Sequence, residues 1–187
     1  MKDSAWRIVA SSFVVDDPYL RLRKDSLDLP NGAHVDDYYV RESRGFCIIF
    51  ALTVDDEIVL VEQYKHGAGR SLLELPAGAI DPHESPLQTA QRELLEETGY
   101  SGDLEPMGSF VTEPTHSDAV AHLFFARDAR RVGDQQLDAT EEIAVSLVPR
   151  NGLLDLVRSG RIDSMPHVAS IYFVLDALHR RTQEHRP

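Results

Sequence analysis

Read for its apolar and polar positions, the chain alternates at its start, becomes continuously apolar in the middle and turns helical in three places. Residues 6–15 (WRIVASSFVV) predict a strand, closed by Asp16, Asp17 and Pro18. Residues 19–28 alternate in part, with Leu20 and Leu22 against Arg21 and Arg23, and predict a second strand. Pro30-Asn31-Gly32 is a turn, and residues 37–42 a third strand. These three form an N-terminal meander ahead of the main core. Residues 45–54 (GFCIIFALTV) are almost wholly apolar; Asp55 and Asp56 turn the chain and residues 57–64 return, which predicts a buried hairpin. Residues 66–70 read as a loop tip. Further strands are expected at 108–112, 119–127 and within 140–148, with a polar loop over 128–140.

The first helical stretch lies between Ser85 and Gly99. Ser85 suits the N-cap, Pro86 the first helical position, and Gln88 completes a capping box; Gly99 is the natural stop. Leu87, Ala90 and Leu94 share a core-facing stripe with Leu95 at its margin. At roughly 100° per residue, Glu93, Glu96 and Glu97 gather on the far side. That clustering is unfavourable. Like charges at i,i+3 and i,i+4 each cost about 0.2–0.5 kcal/mol, and anions in the last turn oppose the helix dipole by ~0.3–1 kcal/mol. One reading is a solvated acidic face. The other, favoured because three carboxylates converge at the wrong helix end, is a divalent cation of the hard kind that takes oxygen ligands and leaves positions for phosphate. Two later helices are expected: residues 151–159, with Asn151 as N-cap and Gly160 as stop, and residues 167–182, with Val168, Ile171, Tyr172, Leu175 and Leu178 on its core stripe. The tail, residues 182–187, is expected to fray.

Composition narrows the field. At 187 residues the chain suits one domain with a full core and a small extra lobe. A net charge of −12 argues against a nucleic-acid or anionic-membrane surface, though not against a nucleotide, since bound metal reverses the local sign. Cys47 is the sole cysteine, so no internal disulfide can form and a cytoplasmic setting is expected. It lies in an apolar run and reads as a small buried hydrophobe. The N-terminus carries no signal-peptide pattern, and no apolar stretch is long enough to span a bilayer.

The stretch from residue 78 to 100 resembles the Nudix box, G-x5-E-x7-R-E-U-x-E-E-x-G-U, where U is a bulky apolar residue. Gly78, Glu84, Arg92, Glu93, Leu94, Glu96, Glu97, Gly99 and Tyr100 stand at its positions. The segments VEQYKHG, ELPAG and LFFA, and Pro114 downstream of the box, resemble the ADP-ribose pyrophosphatase branch. The resemblance implies an α/β (α+β) fold, the Nudix α/β/α sandwich with a mixed sheet and an N-terminal β-meander lobe. It implies a lobe over residues 1–42, serving dimerisation and the substrate pocket, and a hydrolase domain over 43–187. It also implies Mg²⁺ or Mn²⁺ as cofactor, a nucleotide-sugar substrate and a homodimer.

Residue by residue, the resemblance implies metal ligation by Glu93, Glu96, Glu97, Glu141 and the carbonyl of Ala77. Glu84 and Arg92 would pair to brace the loop, with Gly78 and Gly99 shaping its ends. Glu97 and Glu141 would be catalytic. The acid expected as general base two residues before Glu141 is Ala139 here, so Asp138, Glu141, Glu142, Asp118 or a box glutamate must serve. Lys65 stands where arginine is usual and would touch a phosphate, or else be a solvated lysine; Glu74 would touch substrate, or else be a strand-end surface charge. Asp118, beside His116 and Ser117, falls in the expected substrate loop. Trp6, Tyr38, Tyr39 and Phe46 would stack on a base or belong to the core. The expected reaction is hydrolysis of ADP-ribose or a related nucleotide sugar to a nucleoside monophosphate and a sugar phosphate. The alternatives are another Nudix substrate such as GDP-mannose, or a non-catalytic ADP-ribose sensor. Against the sensor stands an intact box and the lack of a fused helical DNA-binding domain.

Overall fold

A computed structural model describes residues 5–184, and its backbone contacts divide the chain into two units: residues up to 45 together with 111–120, and 46–110 together with 121 onward. The first holds an antiparallel meander of β1 (Arg7–Asp17), β2 (Leu20–Asp28) and β3 (His34–Glu42), in that spatial order. The third strand starts earlier than its sequence pattern predicts, because His34 and Val35 pair across the turn with Asp28 and Leu27. β1 is exposed almost throughout. Buried Asp25 accepts hydrogen bonds from Ser11 Oγ at 2.6 Å and Arg23 Nε at 2.9 Å, which supply the partners a buried carboxylate needs.

The second unit is built on β4 (Phe46–Thr53), β5 (Glu57–Lys65), β6 (Arg70–Glu74), β7 (Ala77–Ala79), α1 (Pro86–Thr98), β8 (Tyr100–Val111), β9 (Val120–Arg131), β10 (Ile143–Pro149), α2 (Leu153–Arg158) and α3 (Met165–Glu184). The sheet order is β10-β5-β4-β9-β8, with β6 paired to β5 and β7 to β4. It is mixed: β4 runs parallel to β9 and antiparallel to β5 and β7. The apolar run of β4 has a simple cause. Its two faces both lie in core, so neither alternate set needs to be polar. Ile48 and Phe50 join Leu60, Phe125, Leu153 and Ile171 in one cluster, and Cys47, Ile49 and Ala51 join Ala90 and Leu94 in another. Helix α1 thus covers one face and α2 and α3 the other, the expected α/β/α sandwich.

Several local expectations are corrected. The β4–β5 hairpin is splayed: the pair meets at Leu52 and Ile58, while residues 46–48 of β4 pair with β7 instead. β8 begins directly after α1 rather than near residue 108, and β9 runs on to Arg131, shortening the polar loop. Asn151 caps nothing; it lies in a 3-10 turn, and α2 starts at Leu153 with no side-chain cap. Leu87 and Tyr172 are exposed, so the stripe of α1 centres on Ala90 and Leu94, and that of α3 on His167, Ser170, Ile171 and Val174. Residues 182–184, expected to fray, belong to α3; the rest of that tail lies outside the described residues. Among the described residues, no helix is long and apolar enough to cross a membrane.

Candidate active site

Helix α1 is fastened at both ends by the residues its sequence offers. Gln88 N–H donates to Ser85 Oγ at 3.3 Å, and Ser85 N–H donates back to Gln88 Oε1 at 2.9 Å. Gly99 closes the helix at φ 72°, its N–H donating to the Leu95 carbonyl at 2.8 Å. Between these ends the helix packs on β4, β7, β5 and β10. Because β7 is among the strands it packs on, Glu97 does not lie on a solvated face. Glu97, expected on the far side from the core, is only 6% exposed.

That burial sets the chemistry. Glu97 Oε2 accepts the Ala77 N–H at 3.0 Å, and among the described residues it has no ion pair. Burial pushes its carboxyl up to about 8, against the pull of the Ala77 N–H. Burial also raises Glu93, in spite of Arg92 beside it. A Cβ added at Gly78 would overlap the Glu93 carboxylate, so the absence of a side chain there is what lets Glu93 lie against the β7 backbone. Arg92 binds the motif together. Its Nε donates to Glu84 at 3.0 Å, its Nη1 to Glu93 at 2.8 Å and Glu96 at 3.0 Å, and its Nη2 to the Ala79 carbonyl at 3.4 Å. Arg92 in turn holds the Glu84 carboxyl below its usual range.

Among the described residues, no three His, Cys, Asp or Glu side chains stand gathered as a ready grip for an ion; Arg92 bonds to both Glu93 and Glu96. The donor set nevertheless suits a hard divalent cation. It is all oxygen, and Glu97 is a buried carboxylate whose charge has a single backbone donor to answer it, a deficit that a cation would remove.

The other sequence candidates fall into place around this centre or apart from it. Glu141 follows a turn in which its N–H donates to the Asp138 carbonyl at 2.9 Å and its carboxylate accepts the Asp138 N–H at 3.1 Å. It is close enough to Glu93 and Glu97 that its charge raises both. Asp138 and Glu142 are exposed. Glu74 is no surface charge: it is 7% exposed, 3.3 Å from His167 Nε2 and 3.9 Å from Lys65 Nζ. Lys65 also donates to Gln63 Oε1 at 2.5 Å. Asp118, in the first unit, accepts the Ser43 N–H at 2.7 Å. Trp6, Tyr38 and His116 form an aromatic cluster in that unit, whereas Phe46 packs against the core of the second. Cys47 is fully buried, its thiol donating to the Pro86 carbonyl at 3.1 Å; burial pushes it up to about 12, so it is no nucleophile.

Sequence reasoning missed Gln135 and His167. Gln135 Nε2 donates to the Glu97 carbonyl at 2.6 Å and the Ile143 carbonyl at 3.0 Å, tying the loop that carries Glu141 to the end of α1. Neither residue lies in a motif, and a lone polar residue in a loop or an amphipathic helix carries no local signal.

The family profile described as NUDIX domain matches residues 42–168, and one described as Nucleoside diphosphate sugar hydrolase N-terminal domain matches residues 6–40. A methanol dehydrogenase activator of Bacillus methanolicus is 34% identical over 159 residues, covering 83% of this chain and 85% of that one. An ADP-ribose pyrophosphatase of Bacillus subtilis is 30% identical over 164 residues, covering 87% and 88%. The crystal structure of an ADP compounds hydrolase matches with a TM-score of 0.81 over 94% of this chain and 95% of that one; at 22% identity this speaks to fold alone. A profile that spans most of the length, and a box whose Arg92 joins Glu84, Glu93 and Glu96 while Gly78 lies against Glu93, place the chain in the Nudix hydrolase family.

Proposed function

We propose that this protein hydrolyses the diphosphate of a nucleoside diphosphate joined to a sugar, ADP-ribose first among them, using Mg²⁺ or Mn²⁺ and releasing AMP and a sugar phosphate. The observation that carries the reading is the buried Glu97 carboxylate on the Ala77 N–H, with Glu93 against Gly78 beside it. The name of the Bacillus subtilis relative supports the choice of ADP-ribose.

Glu93, Glu97, Glu96 and the Ala77 carbonyl would hold the ions, which would neutralise the diphosphate and lower the pKa of a water. The chain's own residues do the rest. Arg92 and Glu84 keep the loop braced against α1. Glu141 is the first choice to ligate and to take the proton as water adds to phosphorus. Asp138, Glu142, Asp118 or a box glutamate would stand in for it. Lys65 and Glu74, with Asp118, are the proposed substrate contacts. Lys65 would meet a phosphate oxygen as a point charge, without the bidentate fork of arginine.

The same reading keeps a cytoplasmic homodimer, with residues 1–42 as its lobe and 43–187 as the hydrolase domain. Trp6, with Ile8, Val9, Phe13 and Val14 of β1, is 43–55% exposed, an apolar surface suited to a second copy. The deciding experiment is product release with Mg²⁺ from ADP-ribose, GDP-mannose, UDP-glucose, NADH and diadenosine polyphosphates. AMP from ADP-ribose is the expected result. Preference for another member moves the specificity, and binding without turnover of any member supports the sensor instead.

A further inference from the structure

The segment that leads into the box is held from behind. Three hydrogen bonds fix successive residues: Leu75 N–H donates to His167 Nδ1 at 3.2 Å, the Pro76 carbonyl accepts the Ile49 N–H at 2.9 Å, and Ala77 N–H donates to Glu97 at 3.0 Å. His167 enters from the first turn of α3 and is 6% exposed. Since Nδ1 accepts, the proton of the neutral ring sits on Nε2. That nitrogen faces Glu74 Oε1 at 3.3 Å. One buried imidazole therefore holds two adjacent residues: it accepts the Leu75 N–H in a hydrogen bond and sets its Nε2 beside the Glu74 carboxylate. A leucine would fill the same place between helix and sheet but would leave a buried N–H and a buried carboxylate without these partners, which is costly.

We propose that His167 is a positioning residue for the carboxylate centre: it fixes residues 74 and 75, and through them the Ala77 backbone, in the register that Glu97 and a divalent cation require. This rests on the metal-dependent reading above. The two layers of the sandwich are thereby coupled. Helix α3, on one face of the sheet, sets the backbone against which α1, on the other face, places its ligand. The path is short: the Leu75 side chain shares a core cluster with Ile171 and Val174 of α3, and the hydrogen bond from its N–H to His167 adds a directional tie.

The test uses the full chain, Mn²⁺ titration by calorimetry and ¹⁵N NMR. In His167→Leu, Mn²⁺ affinity should fall about tenfold, and in His167→Asn, whose Oδ1 can still accept the Leu75 N–H, it should stay within about threefold of wild type. The Leu75 and Ala77 amide resonances should move in the first variant and hold in the second. A folded His167→Leu with wild-type affinity overturns the proposal, as does an Asn variant as weak as the Leu one. Should the Leu variant fail to fold, the wild-type protein carries the test: Mg²⁺ should shift the His167 ring nitrogens together with the Ala77 amide, and unmoved ring signals overturn it. The two readings fail separately. Intact Mn²⁺ binding with no turnover of any diphosphate defeats the hydrolytic reading alone, while wild-type affinity in the folded Leu variant defeats the role of His167 alone.

Discussion

Glutamates of one short motif differ in burial by their position on one helix, and their expected roles differ with it. Glu97 is buried on the Ala77 N–H, whereas the side chain of Glu96 is 37% exposed and tied to Arg92. Glu97→Gln keeps an acceptor for that N–H but removes the charge. It should lower turnover on the order of 10³-fold while leaving the circular dichroism spectrum unchanged; wild-type turnover would remove Glu97 from the centre. Glu141→Gln should cost on the order of 10²–10³ in kcat if it takes the proton, and a loss of only a few-fold would pass that task to Asp138, Glu142 or Asp118. Gly78→Ala is a finer probe. The added methyl meets the end of a flexible side chain, so the fold should survive, but Glu93 must move. A shift of that size should cost roughly 10²-fold in turnover, with the thermal midpoint lowered by no more than about 3 °C. An unfolded Gly78→Ala would mean that the contact serves stability rather than the centre.

At the scale of elements, the informative join is between α1 and β8. Gly99 turns the chain at φ 72°, and a Cβ there would overlap the backbone carbonyl of Gly133. Val132 and Gly133 N–H groups both donate to the Gly99 carbonyl, at 2.9 and 3.3 Å, and Gln136 N–H to that of Glu96 at 2.9 Å. The helix end, the return strand and the loop toward Glu141 are therefore one knot. Unlike the change at Gly78, Gly99→Ala meets backbone, which cannot rotate away. It should lower the thermal midpoint by roughly 2–8 °C; an unchanged midpoint would mean that the knot yields without cost. The cap, the stop glycine and the apolar centre of α1 were legible in the sequence, because each is local to one turn of helix. The burial of Glu97 was not. An amphipathic projection treats one face as solvent, and here β7, a three-residue strand with no pattern of its own, lies against α1 and covers it. The same strand splays the β4–β5 hairpin, which the apolar run and its returning strand predicted as continuous.

Over the whole molecule, buried His167 on α3 adds its own pH dependence to stability. Burial lowers His167 below the usual imidazole range; facing Glu74 on β6 opposes this and Lys65 on β5 adds to it. The unfolded chain therefore takes up a proton in that range that the folded protein refuses. The contribution of His167 to stability is therefore lost as pH drops through the usual imidazole value of about 6.5. Glu97, raised to about 8, acts in the opposite sense in both proteins, so the His167 contribution is read as a difference: from pH 7.5 to 5.5 the thermal midpoint of the wild-type protein should fall relative to that of His167→Asn. Equal slopes would assign the loss to other groups. The sequence by itself determined the box, its helix with both caps, the double-sided burial of β4 and the family, because each is written in spacing along a few turns or one strand. Tertiary structure alone decided which carboxylate is buried, that Glu74 is interior, and that Gln135 and His167 hydrogen-bond to backbone groups near the centre. Those facts depend on which backbone groups are left without partners once the sheet has paired, and such a deficit exists only in the assembled sandwich.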